Sequence, residues 1–248
     1  MKINVYESSP ALGQAAAVLT AEKLNAAIAA QGNARLLVST GASQFDTIKA
    51  LVEQKVDWSK VEMFHLDEYL DMPDTHPASF RKYLRERMTS KIALGKVHFV
   101  TPEIGVEACL KALEIEIRKA PIDVALIGIG ENSHIAFNDP PADFDSKEAY
   151  FIVKLDERCR KQQLGEGWFP TLDDVPKEAL SMTPYQIMLS KCIISCVPYA
   201  VKADAIKATL EAPATTNMIP ATLLKEHADW TLMIDKDSAS KTDAKFLP

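Results

Sequence analysis

Runs of β-branched and other large apolar residues recur along the chain at residues 3–6, 35–39, 61–66, 122–129, 192–197 and 230–234, and they predict strands. Val124, Ala125, Leu126 and Ile127 are apolar without alternation, as are Ile193, Ile194 and their neighbours. That pattern suits central strands covered on both faces. Helical patterns lie between the runs, at residues 10–30, 44–54, 78–90, 104–119, 156–164, 184–190, 199–211 and 220–226. The first is the clearest: Ser9 can cap it, Pro10 suits the first helical position and Gly32 the stop. Strand and helix alternate from end to end. The order predicts an α/β fold: one doubly wound, mostly parallel, Rossmann-like sheet with helices on both faces and right-handed crossovers, a single domain over residues 1–248.

A length of 248 residues with 47% hydrophobic and 25% charged positions is enough for one large core. No apolar run approaches the ~20 residues that span a bilayer, which excludes a membrane-spanning helix. Residues 1–8 lack the apolar core and cleavage site of a secretory signal, so a cytoplasmic protein is expected. Cys109, Cys159, Cys192 and Cys196 show no CxxC spacing and read as buried small apolar residues. A net charge of −6 with dispersed basic residues argues against nucleic acid as a partner. An anionic small molecule must then be held by local devices, such as a helix-opening turn or a placed cation.

Three stretches break the rhythm, at residues 71–77, 138–147 and 165–177, and in open α/β sheets chemistry sits in loops beyond the carboxyl ends of strands. Ser39-Thr40-Gly41-Ala42-Ser43-Gln44 follows a strand and opens a helix, which suits either an anion cradle or an ordinary capped turn. Asp67 and Glu68 end the next strand. Adjacent residues on an extended segment face opposite ways, so at most one enters a cleft, where a carboxylate with a suitably shifted pKa serves as a general base. In residues 128–139, glycines after a buried strand precede His134, with Glu131, Asn132 and Asp139 near enough to orient an imidazole. This GxG lacks the third glycine and the later acidic residue of a dinucleotide fingerprint. The cations after residue 156 and Lys202 after a buried strand are candidates for an anion. Residues 165–174, with Trp168, Phe169 and Pro170 between Gly165, Gly167 and acidic residues, read as a lid or as a packed surface loop.

Taken in order, the motifs are Ser-Thr-Gly-Ala-Ser at 39–43, Leu-Asp-Glu-Tyr at 66–69 with His76-Pro77 behind it, and Gly-Ile-Gly-Glu-Asn-Ser-His-Ile-Ala-Phe-Asn-Asp-Pro at 128–140. Val175-Pro176 then precedes Ala179-Leu180-Ser181-Met182-Thr183, and Lys202 precedes an alanine-rich helix. The sequence resembles the glucosamine-6-phosphate deaminase/isomerase family, which shares its fold with 6-phosphogluconolactonases. The resemblance covers nearly the whole chain, and the run after His134 favours the deaminase branch.

The resemblance implies a sugar-phosphate isomerase type of fold and a 2-amino-2-deoxyhexose 6-phosphate as substrate, its phosphate on Thr40, Gly41, Ala42, Ser43 and Lys202. His134 would open the sugar ring and Asp67 would move a proton between C2 and C1, with no cofactor and no metal. Asn132 stands at the family's usual aspartate and Asp139 at its usual glutamate, leaving Glu131 to supply charge. Gln163 falls at the family's phosphate arginine, and Arg160, about one helical turn earlier, is the expected substitute. The short polar segment 235–248 leads to the expectation of a monomer or small homo-oligomer without allosteric control. The alternatives are a 6-phosphogluconolactonase, which leaves Leu-Asp-Glu-Tyr without a purpose, and a non-catalytic sugar-phosphate sensor.

Overall fold

The predicted apolar runs become the centre of one parallel sheet. The computed structural model of the chain describes residues 1–165 and 167–248. Its strands are β1 (Lys2–Tyr6), β2 (Ala34–Val38), β3 (Val61–His65), β4 (Asp67–Tyr69), β5 (Lys96–His98), β6 (Val124–Leu126), β7 (Tyr150–Lys154), β8 (Glu178–Met182), β9 (Ile193–Val197) and β10 (Trp230–Asp235). Seven of them pair in parallel in the order β1-β10-β9-β6-β2-β3-β5. The helices are α1 (Ser9–Gln31), α2 (Phe45–Leu51), α3 (Phe80–Leu84), α4 (Val106–Ile117), α5 (Glu157–Gly165), α6 (Pro184–Met188), α7 (Ala203–Glu211) and α8 (Lys236–Ala239).

Because side chains alternate along a strand, the central strands feed two cores. Leu36, Val38, Val124, Leu126 and Ile194 pack with Leu12 and Leu24 of α1, Ile48 of α2 and Leu84 of α3. Leu37, Ala125, Ile193 and Leu232 face the other way, onto Leu113 of α4 and Ile206 of α7. Both faces are covered, which is why these strands read as continuous apolar runs. Gly13 sets how closely α1 crosses α2: a Cβ there would stand 2.7 Å from the backbone of Asp46. Gly32 ends α1 in the left-handed region at φ +85°, its N–H bonded to Ile28 O.

From β2 the chain steps outward to β3 and β5, then returns to β6 on the other side of β2. The order therefore reverses between β2 and β6, and a crevice opens beyond their carboxyl ends. Ser39 and Gly128, which follow those two strands, meet there: Gly128 N–H donates to Ser39 Oγ at 3.1 Å.

Several details correct the sequence reading. Strands β4, β8 and β7 form a separate antiparallel sheet, and none of these nor the edge strand β5 was among the expected strands. β4 and β5 have three residues each, too few to show a period, and β8 is held by partners on strands distant in the chain. The cap of α1 is Ser8 rather than Ser9, whose hydroxyl bonds Asp46 instead. Residues 220–226 form a 3-10 helix, as do residues 200–202 ahead of α7, and residues 85–89 form a π turn after α3. All four cysteines are free and buried, as the spacing suggested.

Candidate active site

A cleft of about 540 Å³ lies beyond the carboxyl ends of the parallel strands, at the reversal between β2 and β6. Thr40, Gly41, Ala42 and Ser43 form one wall. Gly41 sits at φ +95°, which turns the chain sharply from β2 into a short 3-10 turn and then α2, with no side chain capping either. Gln44, fully buried, fastens this turn to the next strands by donating to Cys196 O and Ser43 Oγ, each at 3.0 Å.

Asp67 and Glu68 sit on β4 and do point apart, as adjacent strand residues must. Asp67 enters the cleft. Glu68 lies behind it, accepting from Ser79 Oγ at 2.8 Å and from Arg81 N and Nε at 3.0 Å each. Arg81 is itself held by Glu103 at 2.6 and 2.8 Å. Burial first, then the negative charge of Glu68, raise the Asp67 carboxyl well above the ordinary aspartate range. Such a carboxyl is a stronger base once ionised.

The loop after β6 brings His134 into the same cleft. Its backbone is forced into shape: Ser133 and Ala136 have φ of +67° and +50°. Gly130 N–H donates to His134 O at 2.9 Å, and the imidazole packs over Gly130 so closely that a Cβ there would stand 2.2 Å from the ring. The small sheet anchors the loop from below. Asn138 Nδ2 donates to Ile135 O and to Met182 O of β8, and Phe137 N–H donates to Ser181 Oγ of β8.

Asn132 accepts from His134 N–H at 3.2 Å and donates through Nδ2 to Asp139 Oδ1 at 2.9 Å. Asp139 Oδ1 also lies 3.0 Å from His134 Nδ1, off the direction of the ring N–H. Burial pushes the Asp139 carboxyl up, but the contacts with His134 and Asn132 outweigh it and hold the group below the usual range. Asn132 and Glu131 line the cleft, whereas Asp139 stands behind His134, outside the lining.

Lys202, buried at the end of the turn after β9, lines the cleft. Arg160 does not. Its guanidinium turns to the loop after α5, donating from Nε to Val175 O at 3.2 Å and from Nη2 to Leu172 O. Arg158, Lys161 and Gln162 of α5 reach the cleft instead, together with buried Gln163, which accepts from Tyr69 Oη at 2.7 Å. Arg158, Lys161 and Gln162 share one helix face, at i, i+3 and i+4, while Arg160 at i+2 lies off it; the helical period groups them but does not say which face meets the cleft. Of the segment read as a lid, Glu166 lies outside the described residues. Phe169 is buried against Tyr69 and stacks on His76, so this part is a packed loop, while Gly165 lines the cleft.

Among the described residues, three metal-ligating groups converge in two places: His134, Asp139 and Cys159, and Glu62, His98 and Glu116. In the second group Glu62 is engaged by Arg35 and His98, and Glu116 by Lys96 and Lys119. No described helix is long and apolar enough to cross a membrane.

A sequence profile described as glucosamine-6-phosphate isomerases/6-phosphogluconolactonase matches residues 7–233. The chain belongs to that family. It is 35% identical over 207 residues to a glucosamine-6-phosphate deaminase of Exiguobacterium sibiricum, covering 82% of this chain and 79% of the relative. It is 31% identical over 242 residues to one from Streptococcus pneumoniae, covering 97% and 98%. Among solved structures, a monomeric glucosamine-6-phosphate deaminase superposes with a TM-score of 0.89 at 28% identity, covering 97% of this chain and 100% of that one. A 6-phosphogluconolactonase from Thermotoga maritima gives 0.78 at 17% identity, covering 95% and 99%, and shares the fold.

Proposed function

We propose that the protein converts a 2-amino-2-deoxyhexose 6-phosphate, with water, to the 2-ketohexose 6-phosphate and ammonia. The observation that carries this reading is one cleft lined by both a buried carboxyl of raised pKa, Asp67, and His134, with the Asp139 carboxylate behind the imidazole. The deaminase relatives support the substrate class.

In this reading the phosphate rests on the turn at residues 40–43 and on Lys202, with Arg158 and Lys161 at the rim. His134 moves a proton from the anomeric hydroxyl to the ring oxygen, which opens the sugar. Asp67 takes the proton from C2 of the open-chain aldehyde, giving an enediol-type amine, and returns it to C1. The resulting C2 imine adds water and expels ammonia. Asn132 holds the His134 backbone and Asp139 sets a carboxylate beside the imidazole, and the chemistry asks for no cofactor. A lactonase needs no base on carbon, so it leaves Asp67 unused.

Ammonia release by the purified protein from glucosamine 6-phosphate and, in parallel, galactosamine 6-phosphate tests the reading and the epimer together. Release from either supports it. Silence on both, with tight binding of the sugar phosphate, favours a sensor, and hydrolysis of 6-phosphogluconolactone favours the lactonase. A monomer or small oligomer by gel filtration is expected, in the cytoplasm.

A further inference from the structure

We propose that Tyr199 is a specificity-determining residue, holding its phenol ring across the anion-binding end of the cleft so that this end takes a terminal phosphomonoester and not a longer phosphate chain. The inference rests on the function proposed above for where the phosphate lies.

Tyr199 follows β9 with φ +82° and ψ 145°, a backbone region that residues other than glycine avoid. The surroundings over-determine this conformation. Tyr199 N–H donates to both carboxylate oxygens of Asp235, at 3.0 and 3.1 Å, and Tyr199 O accepts from Lys202 N–H at 3.0 Å. At the far end of the side chain, Tyr199 Oη lies 3.2 Å from Ser9 Oγ, which donates to Asp46 Oδ2 at 2.6 Å. Ser9 opens α1 and Asp46 lies in the first turn of α2. The ring therefore spans from the end of β9 to the starts of α1 and α2, beside the turn at residues 40–43.

Packing does not account for this strain. Tyr199 is 37% exposed and joins none of the apolar cores. Glycine would adopt the same backbone freely, but it would remove the wall that Tyr199 gives the cleft alongside Lys202. A wall there excludes water from the charged contacts and strengthens them. With the first phosphate on the turn at 40–43 and Lys202, the ring would also block a second phosphate.

The test compares Tyr199→Gly, Tyr199→Ala and Tyr199→Phe in the full chain. Ammonia release gives KM and kcat, calorimetric titration gives the affinities for inorganic phosphate and pyrophosphate, and thermal unfolding gives Tm. For Tyr199→Gly, KM is expected to rise about 10-fold with kcat nearly unchanged, pyrophosphate is expected to gain on phosphate, and Tm is expected not to fall. Tyr199→Ala shares the KM rise and melts below the glycine variant, because it keeps the strain without the ring. Tyr199→Phe keeps the wild-type KM. Unchanged KM and unchanged phosphate preference in both small variants overturn the proposal. Should the wild type release no ammonia, the function fails alone, and the two anion titrations still decide the role of Tyr199.

Discussion

Asp139 Oδ1 lies 3.0 Å from His134 Nδ1 while accepting a 2.9 Å hydrogen bond from Asn132. One carboxylate thus serves both the imidazole and the side chain that fixes the loop. Its charge is the one available to balance an imidazolium at this contact, since asparagine carries none. Asp139→Asn is expected to lower kcat by ~10²-fold with little change in KM, as loss of support for an acid–base group does. Steady-state ammonia release checks this, and an unchanged kcat would assign Asp139 a structural role only.

Asp67→Asn keeps the shape of β4 but removes the proposed carbon base. Isomerisation should fall by ~10²–10⁴-fold, while the sugar phosphate still binds. Exchange of the C2 proton with deuterated water, followed by NMR, isolates that step. Persistent exchange in the variant would move the base elsewhere.

The raised pKa of Asp67 also sets a pH dependence. The base works as the carboxylate, so activity is lost as pH falls through a value above the ordinary 3.8 of aspartate. A kcat/KM profile should show an acid limb above that value. A limb at or below it would mean that burial and Glu68 leave the group unperturbed in the working enzyme.

His65, fully buried at the end of β3, accepts from Val100 N–H at 2.8 Å, and burial followed by the charge of Arg81 lowers its pKa to about 3. The unfolded chain takes up this proton near 6.5 and the folded one near 3, so the contribution to stability is complete above 6.5 and is lost as pH falls. Between pH 7 and 5 the loss is about 2 kcal/mol. His65→Gln retains an acceptor and removes the titration. Urea unfolding at the two pH values should show the wild type losing that much more than the variant, and equal losses would exclude His65 as the cause.

Gly130→Ala would drive a Cβ into the imidazole of His134, at 2.2 Å. The ring must move, and a displacement near 1 Å at a reacting group costs up to ~10²-fold in rate. The expected outcome is a large loss in kcat with a folded protein by circular dichroism. Full activity would show that the His134 loop has another seating.

The sequence by itself determined the parallel α/β sheet, because strands buried on both faces and helices buried on one leave apolar periods that need no knowledge of their partners. It also placed Asp67, His134, Lys202 and the turn at 40–43 at strand ends, since each follows a run of that kind. Tertiary structure decided the rest. The sheet β4-β8-β7 joins segments far apart in the chain, and its short strands have no period of their own. Arg160 and Arg158 differ only in the helix face that the loop after α5 selects. Tyr199 is an ordinary tyrosine in the sequence, and only the contacts with Asp235 and Ser9 hold it in a backbone conformation suited to glycine.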